Sequence, residues 1–151
     1  MQIAPRVVWM PGGVRTEIHL VGEDTDGAFC LLVDHPPAAW SLPAHLHRGV
    51  AETIHILEGE FEMTVEGKRS RLKAGETMHL PSEVTHASSN VGGVHGRRIV
   101  IFSPAGMESF FMQLGAAARG LEAAPAAALA CATGHGWHFT DSRAPTERAH
   151  R

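Results

Sequence analysis

The chain has 151 residues, 44% of them hydrophobic, and a formal net charge of −3. That length fits one domain, able to bury roughly 70% of its unfolded surface without staples. The mild charge gives no basic field for nucleic acid or a membrane surface, the apolar runs fall far short of a membrane span, and two cysteines make no disulfide framework.

The N-terminus lacks a basic segment followed by an apolar core, so no secretory signal is read there and a reducing cytoplasm is the expected location. Strands are expected at 6–10 and 14–21, joined by a turn at Pro11, Gly12 and Gly13. Glu23 to Gly27 reads as a solvated turn, since the remaining positions of a calcium loop are missing. Residues 28–33 are a continuous apolar run, fit for a buried strand, with Cys30 as a small buried hydrophobe. Pro36 and Pro37 break it, and a strand carrying His45 and His47 follows.

The next strand, 52–57, puts Glu52, Ile54 and Ile56 on one face before Glu58 and Gly59 turn the chain. Residues 60–66 alternate cleanly, with Phe61, Met63 and Val65 on one face and acidic side chains on the other. The cations of 68–73 lie opposite that acidic face, which cross-strand pairing explains better than a phosphate site. Short strands are expected at 77–80 and 84–88, the second with Val84, His86 and Ser88 on one face. A loop at 90–96 leads to a central strand at 97–103. No inward-facing lysine or arginine stands out beside the histidines.

After Pro104 the pattern turns helical. One helix is expected at 107–118, with Phe110, Phe111 and Leu114 on or near one face. A second is expected at 121–132, with Pro125 in its first turn or breaking it. Residues 134–139 are expected to be extended and docked on the body, and the last dozen residues to fray. Many short strands with regular turns, then a little helix, define an all-β sandwich or barrel.

Eleven histidines make spacing the deciding evidence. His45 and His47 are two apart, so an extended strand sets both on one face, roughly 6.6 Å apart along it. Two imidazoles so placed can lean onto one metal ion, and Glu52 can return on the next strand to add an oxygen. His135 and His138, three apart near the end, read as surface; His55 faces away from Glu52; His79 is a candidate neighbour of the ligands.

The pattern His45, His47, Glu52, Gly59 followed by Gly75, Pro81, His86, Asn90 resembles the two motifs of the cupin superfamily. The first, G-x5-H-x-H-x3,4-E-x6-G, spans 45–59 here and departs only at its leading glycine, which is Ala39. The second, G-x5-P-x-G-x2-H-x3-N, spans 75–90 and departs at its inner glycine, which is Glu83. The resemblance implies a double-stranded β-helix, or jelly-roll barrel, over 1–105, with the helical segment and tail of 106–151 packed on it. It also implies metal ligands at His45, His47, Glu52 and His86. Three imidazoles and a carboxylate suit one divalent Fe, Mn, Co, Ni, Cu or Zn, without choosing among them.

The motif block, continued by Ser103, Pro104 and the Phe110–Phe111 helix, is similar to small quercetin dioxygenase-like monocupins. That likeness implies oxygenation of an apolar enol, phenol or diketone, with Glu52 as the catalytic base. By strand parity the expected pocket residues are Ile54, Ile56, Phe61 and Met63, closed by Phe110. Two alternatives stay open: an isomerase or lyase using the metal as Lewis acid, and a non-catalytic small-molecule binder. A small molecule is the expected partner, without nucleic acid or membrane. A homodimer exchanging its N-terminal strand is expected as well, because exposed sheet edges need covering.

Overall fold

Period-two alternation carries most of the chain into strands. A computed structural model describes residues 4–140. It contains β1 (Arg6–Met10), β2 (Val14–Leu20), β3 (Cys30–His35), β4 (Ser41–His47), β5 (Ala51–Glu58) and β6 (Glu60–Val65). There follow β7 (Lys68–Lys73), β8 (Thr77–Leu80), β9 (His86–Asn90), β10 (Arg97–Ser103), α1 (Glu108–Leu114), α2 (Pro125–Gly134) and β11 (Trp137–Phe139). The frayed tail expected from the sequence lies outside the described residues. No described helix is long and apolar enough to cross a membrane.

The strands form two antiparallel sheets of a jelly-roll barrel, ordered β1-β2-β3-β10-β5-β8 and β11-β4-β9-β6-β7. Inward-facing residues of both sheets meet in two apolar clusters. One joins Ile54, Ile56, Phe61, Met63, Leu72 and Leu80. The other joins β1, β2, β3 and β10 to α1, α2 and β11 through residues such as Leu32, Phe102, Phe110 and Trp137. Phe61 and Met63 are fully buried; taking a side chain of this size out of water stabilises the fold by roughly 1.5–3 kcal/mol.

β3 runs Cys30–His35 rather than 28–33, and β11 only Trp137–Phe139; three further elements differ from expectation, each for a local reason. β9 begins at His86 rather than residue 84, because residues 82–85 turn: Glu83 takes a left-handed φ of 68° and its N–H bonds to the His47 carbonyl at 2.9 Å. α1 stops at Leu114 because the chain then leaves to pair with β1, Trp9 and Ala116 exchanging backbone hydrogen bonds of 2.8 and 2.9 Å. Gly115 permits that approach, since a Cβ there would lie 2.5 Å from Val8 Cβ. α2 begins at Pro125, whose missing N–H costs nothing in a first turn. The free edge of β1, the expected exchange strand, is thus covered at Trp9 by the chain's own Ala116.

Candidate metal centre

Strand register assembles the site. On one sheet His45 of β4 stands directly opposite His86 of β9, and His47 follows two residues on. On the other sheet Glu52 of β5 lies between Phe102 of β10 and Leu80 of β8 and faces the histidines across the barrel. The four expected ligands therefore come together from both sheets, one ligand atom of each within 4.8 Å of every other. All four are buried, between 1% and 7% exposed.

The protein fixes the imidazoles from behind. His45 Nδ1 donates to the Pro43 carbonyl at 2.8 Å, and His86 Nδ1 donates to the Val84 carbonyl at 3.0 Å. These bonds place the proton on Nδ1 and leave the Nε2 lone pairs free. His47 Nε2 bonds to Glu52 Oε1 at 3.0 Å, and His86 Nε2 lies 3.4 Å from the same oxygen. Within the described residues His45 Nε2, His47 Nδ1 and His86 Nε2 are buried without a hydrogen-bond partner. Orphaned buried nitrogens are costly unless something meets them. The Nε2 atoms of His45 and His86, with the His47 imidazole and the Glu52 carboxylate beside them, form a donor set that fits a divalent transition metal.

Electrostatics agrees with that donor set. Burial, helped by the neighbouring His86, pushes the His45 imidazole down to about 4, so it is neutral at pH 7. Burial alone would raise the Glu52 carboxyl, but His47 and His86 outweigh it and hold it below the usual carboxylate range. Burial likewise works against a charged His86, and the Glu52 carboxylate overcomes it and raises the imidazole above its ordinary value. Glu52 is therefore ionised and ready to act as a ligand or proton acceptor.

A cavity of about 830 Å3 adjoins the group, and Glu52 lines it. Its walls are largely apolar, with Leu32, Val100, Phe102, Phe110 and Trp137 among them. Of the residues expected to form the pocket, only Phe110 lines this cavity. Ile54, Ile56, Phe61 and Met63 point inward as parity requires, but they pack against Leu72 and Leu80 in the solid part of the core. Parity reports which side of a strand is inside, not whether the inside there is filled. His79 is not beside the ligands either: its Nδ1 bonds to the Thr53 hydroxyl at 2.8 Å on the outer face of β8 and β5.

Two site residues escaped the reading of the sequence. Trp137 stacks on His45, ring centroids 4.8 Å apart at 19°, and meets His47 edge-on at 4.6 Å. β11 brings it there by pairing Trp137 with His47 and Phe139 with His45. Nothing in so short a strand announced this. Arg98 is inward-facing after all, 5% exposed, and forks onto Asp34 with contacts of 2.9 and 2.7 Å. Its alternation with Val100 and Phe102 was the available signal.

The two departures from the motifs are instructive. Ala39 and Glu83 stand where glycines were expected, and both take left-handed φ, 65° and 68°. The backbone keeps the glycine geometry without the glycine, at a cost of roughly 1–2 kcal/mol for each L side chain.

Residues 31–102 match the family model described as a cupin domain. Over those residues, just under half of the chain, the sequence is similar to the cupin superfamily, and the fold is that superfamily's jelly roll. Solved structures of similar fold include KdgF from Halomonas sp., 17% identical with a TM-score of 0.61, the match covering 69% of this chain and 90% of that one. An RmlC-like cupin from Shewanella frigidimarina is 22% identical with a TM-score of 0.61, over 70% and 88% of the two chains. A Thermotoga maritima protein described as a predicted oxalate decarboxylase is 25% identical with a TM-score of 0.60, over 68% and 94%. A curated relative, an uncharacterized protein of Methanocaldococcus jannaschii, is 34% identical over 50 residues, 33% of this chain and 40% of that protein.

Proposed function

We propose that this protein is a metal-dependent oxygenase acting on a small, largely apolar molecule that presents an enol, phenol or diketone oxygen. The observation that carries the reading is the position of Glu52. It belongs both to the four-residue donor group and to the lining of the apolar cavity. His45, His47, Glu52 and His86 would hold the ion. Bound there, a divalent metal supplies Lewis acidity toward a substrate oxygen and, if redox-active, a route for electrons to dioxygen.

The chain's own residues do the rest. Apolar walls select an apolar body and exclude water, which strengthens every charge interaction inside. Ionised Glu52 accepts the substrate hydroxyl proton. Its depressed pKa makes it a weak base, so it suits an acidic enol or phenol better than an alcohol. Trp137, Pro43 and Val84 hold the imidazoles in place. A small dianion such as oxalate, the substrate named for the Thermotoga protein's predicted activity, is poorly matched to so large and apolar a space.

The test begins with metal content by mass spectrometry of protein purified without an affinity metal, beside a His86→Ala control. About one equivalent of Fe, Mn, Co, Ni or Cu, lost in the control, is expected. Incubation with flavonols and β-diketones should then consume dioxygen and substrate together. Turnover that proceeds equally without oxygen would instead identify a Lewis-acid isomerase or lyase. No metal in either protein after reconstitution would sink both enzymatic readings.

A further inference from the structure

Four buried polar residues border the cavity: Thr16, Asp34, Glu52 and Arg98. Two have their work assigned already. The Thr16 hydroxyl donates to the Val14 carbonyl at 3.4 Å, and Glu52 faces the histidines. The oxygenase reading has no use for Arg98. Yet an arginine placed in an apolar barrel needs a reason, since burying a charge is expensive even when it is paired.

Arg98 carries five N–H groups in a rigid fork. Its Nε and Nη2 each donate one to Asp34, at 2.9 and 2.7 Å, and Nη1 donates one to the Ser88 hydroxyl at 3.3 Å. Two N–H groups, one on each terminal nitrogen, keep no partner among the described residues. The guanidinium is also clamped in place, lying 4.9 Å from the Trp40 ring centroid and 5.0 Å from that of Phe61. Asp34 stands directly across from Arg98 in the register of β3 and β10, so the pair is fixed by the sheet itself. The result is an immobile, charge-balanced donor group with spare hydrogen-bonding capacity on the wall of an apolar cavity.

We propose that Arg98 is a substrate-recognition residue and that the molecule taken into the cavity is an apolar organic acid, whose carboxylate accepts the spare N–H groups of Arg98. A planar carboxylate matches a guanidinium fork better than any single acceptor. Asp34 is then a positioning residue: it fixes the guanidinium and offsets its charge. This inference rests on reading the cavity as the substrate chamber and is independent of the metal.

The experiment is calorimetric titration of EDTA-treated full-length protein with three probes of one shape: 4-phenylbutanoate, 4-phenylbutanamide and 4-phenylbutylamine. The acid is expected to bind at least tenfold more tightly than the amide, and the amine more weakly than either. Arg98→Lys keeps the charge but loses the fork, and should cost the acid at least tenfold with the amide unchanged. The double variant Asp34→Asn with Arg98→Gln leaves no buried charge unpaired and should bring the acid down to the amide's affinity. Equal binding of acid and amide by the unaltered protein overturns the proposal without any variant. So does an acid preference that survives in the double variant, or an amine that binds best. Because no metal is present, these failures are separate from failure of the oxygenase reading, which metal content and oxygen uptake decide.

Discussion

The two halves of the core come from the same kind of sequence and end in different physical states. Around Phe61 the inward side chains of four strands, β5, β6, β7 and β8, pack together with Trp40 into a solid cluster. Around Phe110 an equally apolar set of residues leaves a cavity of about 830 Å3. The difference lies in what closes each half. The filled half is closed by strands, whose spacing of about 10 Å between facing sheets suits interdigitated side chains. The hollow half is closed by α1 and α2, which line a space instead of filling it, together with β11 at the edge of the β4 sheet. The donor group of histidines and Glu52 has its carboxylate on the cavity, where a substrate can reach it.

The contrast is sharpest in truncation experiments. Phe61→Ala should cost about 4 kcal/mol, the usual range for a large ring lost from a packed core. Phe110→Ala, beside an existing space, should cost about half as much, since one side of the ring has fewer contacts to lose. Urea unfolding of both variants gives the comparison, and equal losses would mean that the two halves are packed alike. Next in size, a free divalent ion held a hundredfold above its Kd should stabilise the protein by about 2.7 kcal/mol. The same ion should do nothing for His45→Ala. That affinity should weaken as pH falls, because His86, raised by Glu52, must give up a proton to bind.

A smaller effect belongs to the outer face of β2, away from both halves. There Glu17 contacts Arg15, His19 and His35. Burial would raise its carboxyl, but those three partners hold it at about 2 against an ordinary 4.5. A depressed carboxyl contributes stability above pH 4.5 that disappears as pH falls through about 2. Solvent screening limits this to about 1 kcal/mol. Glu17→Gln should therefore be less stable than the parent at pH 7 and indistinguishable near pH 2. Smallest of all, Ala39→Gly should stabilise by up to about 1 kcal/mol by relieving its left-handed φ. Glu83→Gly should gain nothing, because Glu83 Oε1 accepts the Gly49 N–H at 3.2 Å and its carboxylate lies 3.6 Å from Arg48.

The four candidate ligand residues were legible because their information is local. His45 and His47 need only strand parity, and His86 sits in a motif of fixed spacing. The barrel was legible from alternation and turns, most clearly at 60–66. The pocket was not. Ile54, Ile56, Phe61 and Met63 satisfy every local rule for facing inward, yet their half of the barrel is solid, a property of packing across sheets that no single strand encodes. Trp137 was hidden for a related reason: a three-residue strand has too little periodicity to show what it covers. Arg98 was visible by parity, but the weight of Val100, Ile101 and Phe102 around it disguised an inward charge as an ordinary central strand.

The pairing of β11 on β4 has a consequence in time. Synthesis runs from the N-terminus at about 5–20 residues per second. All four ligand residues leave the ribosome well before Trp137 does. For some seconds the four residues are therefore present without the strand that comes to cover them. Once β11 docks, Trp137 covers His45 and the donor group is reached through the cavity that Glu52 lines. An ion able to bind these four residues therefore meets a more open site during synthesis than in the finished molecule.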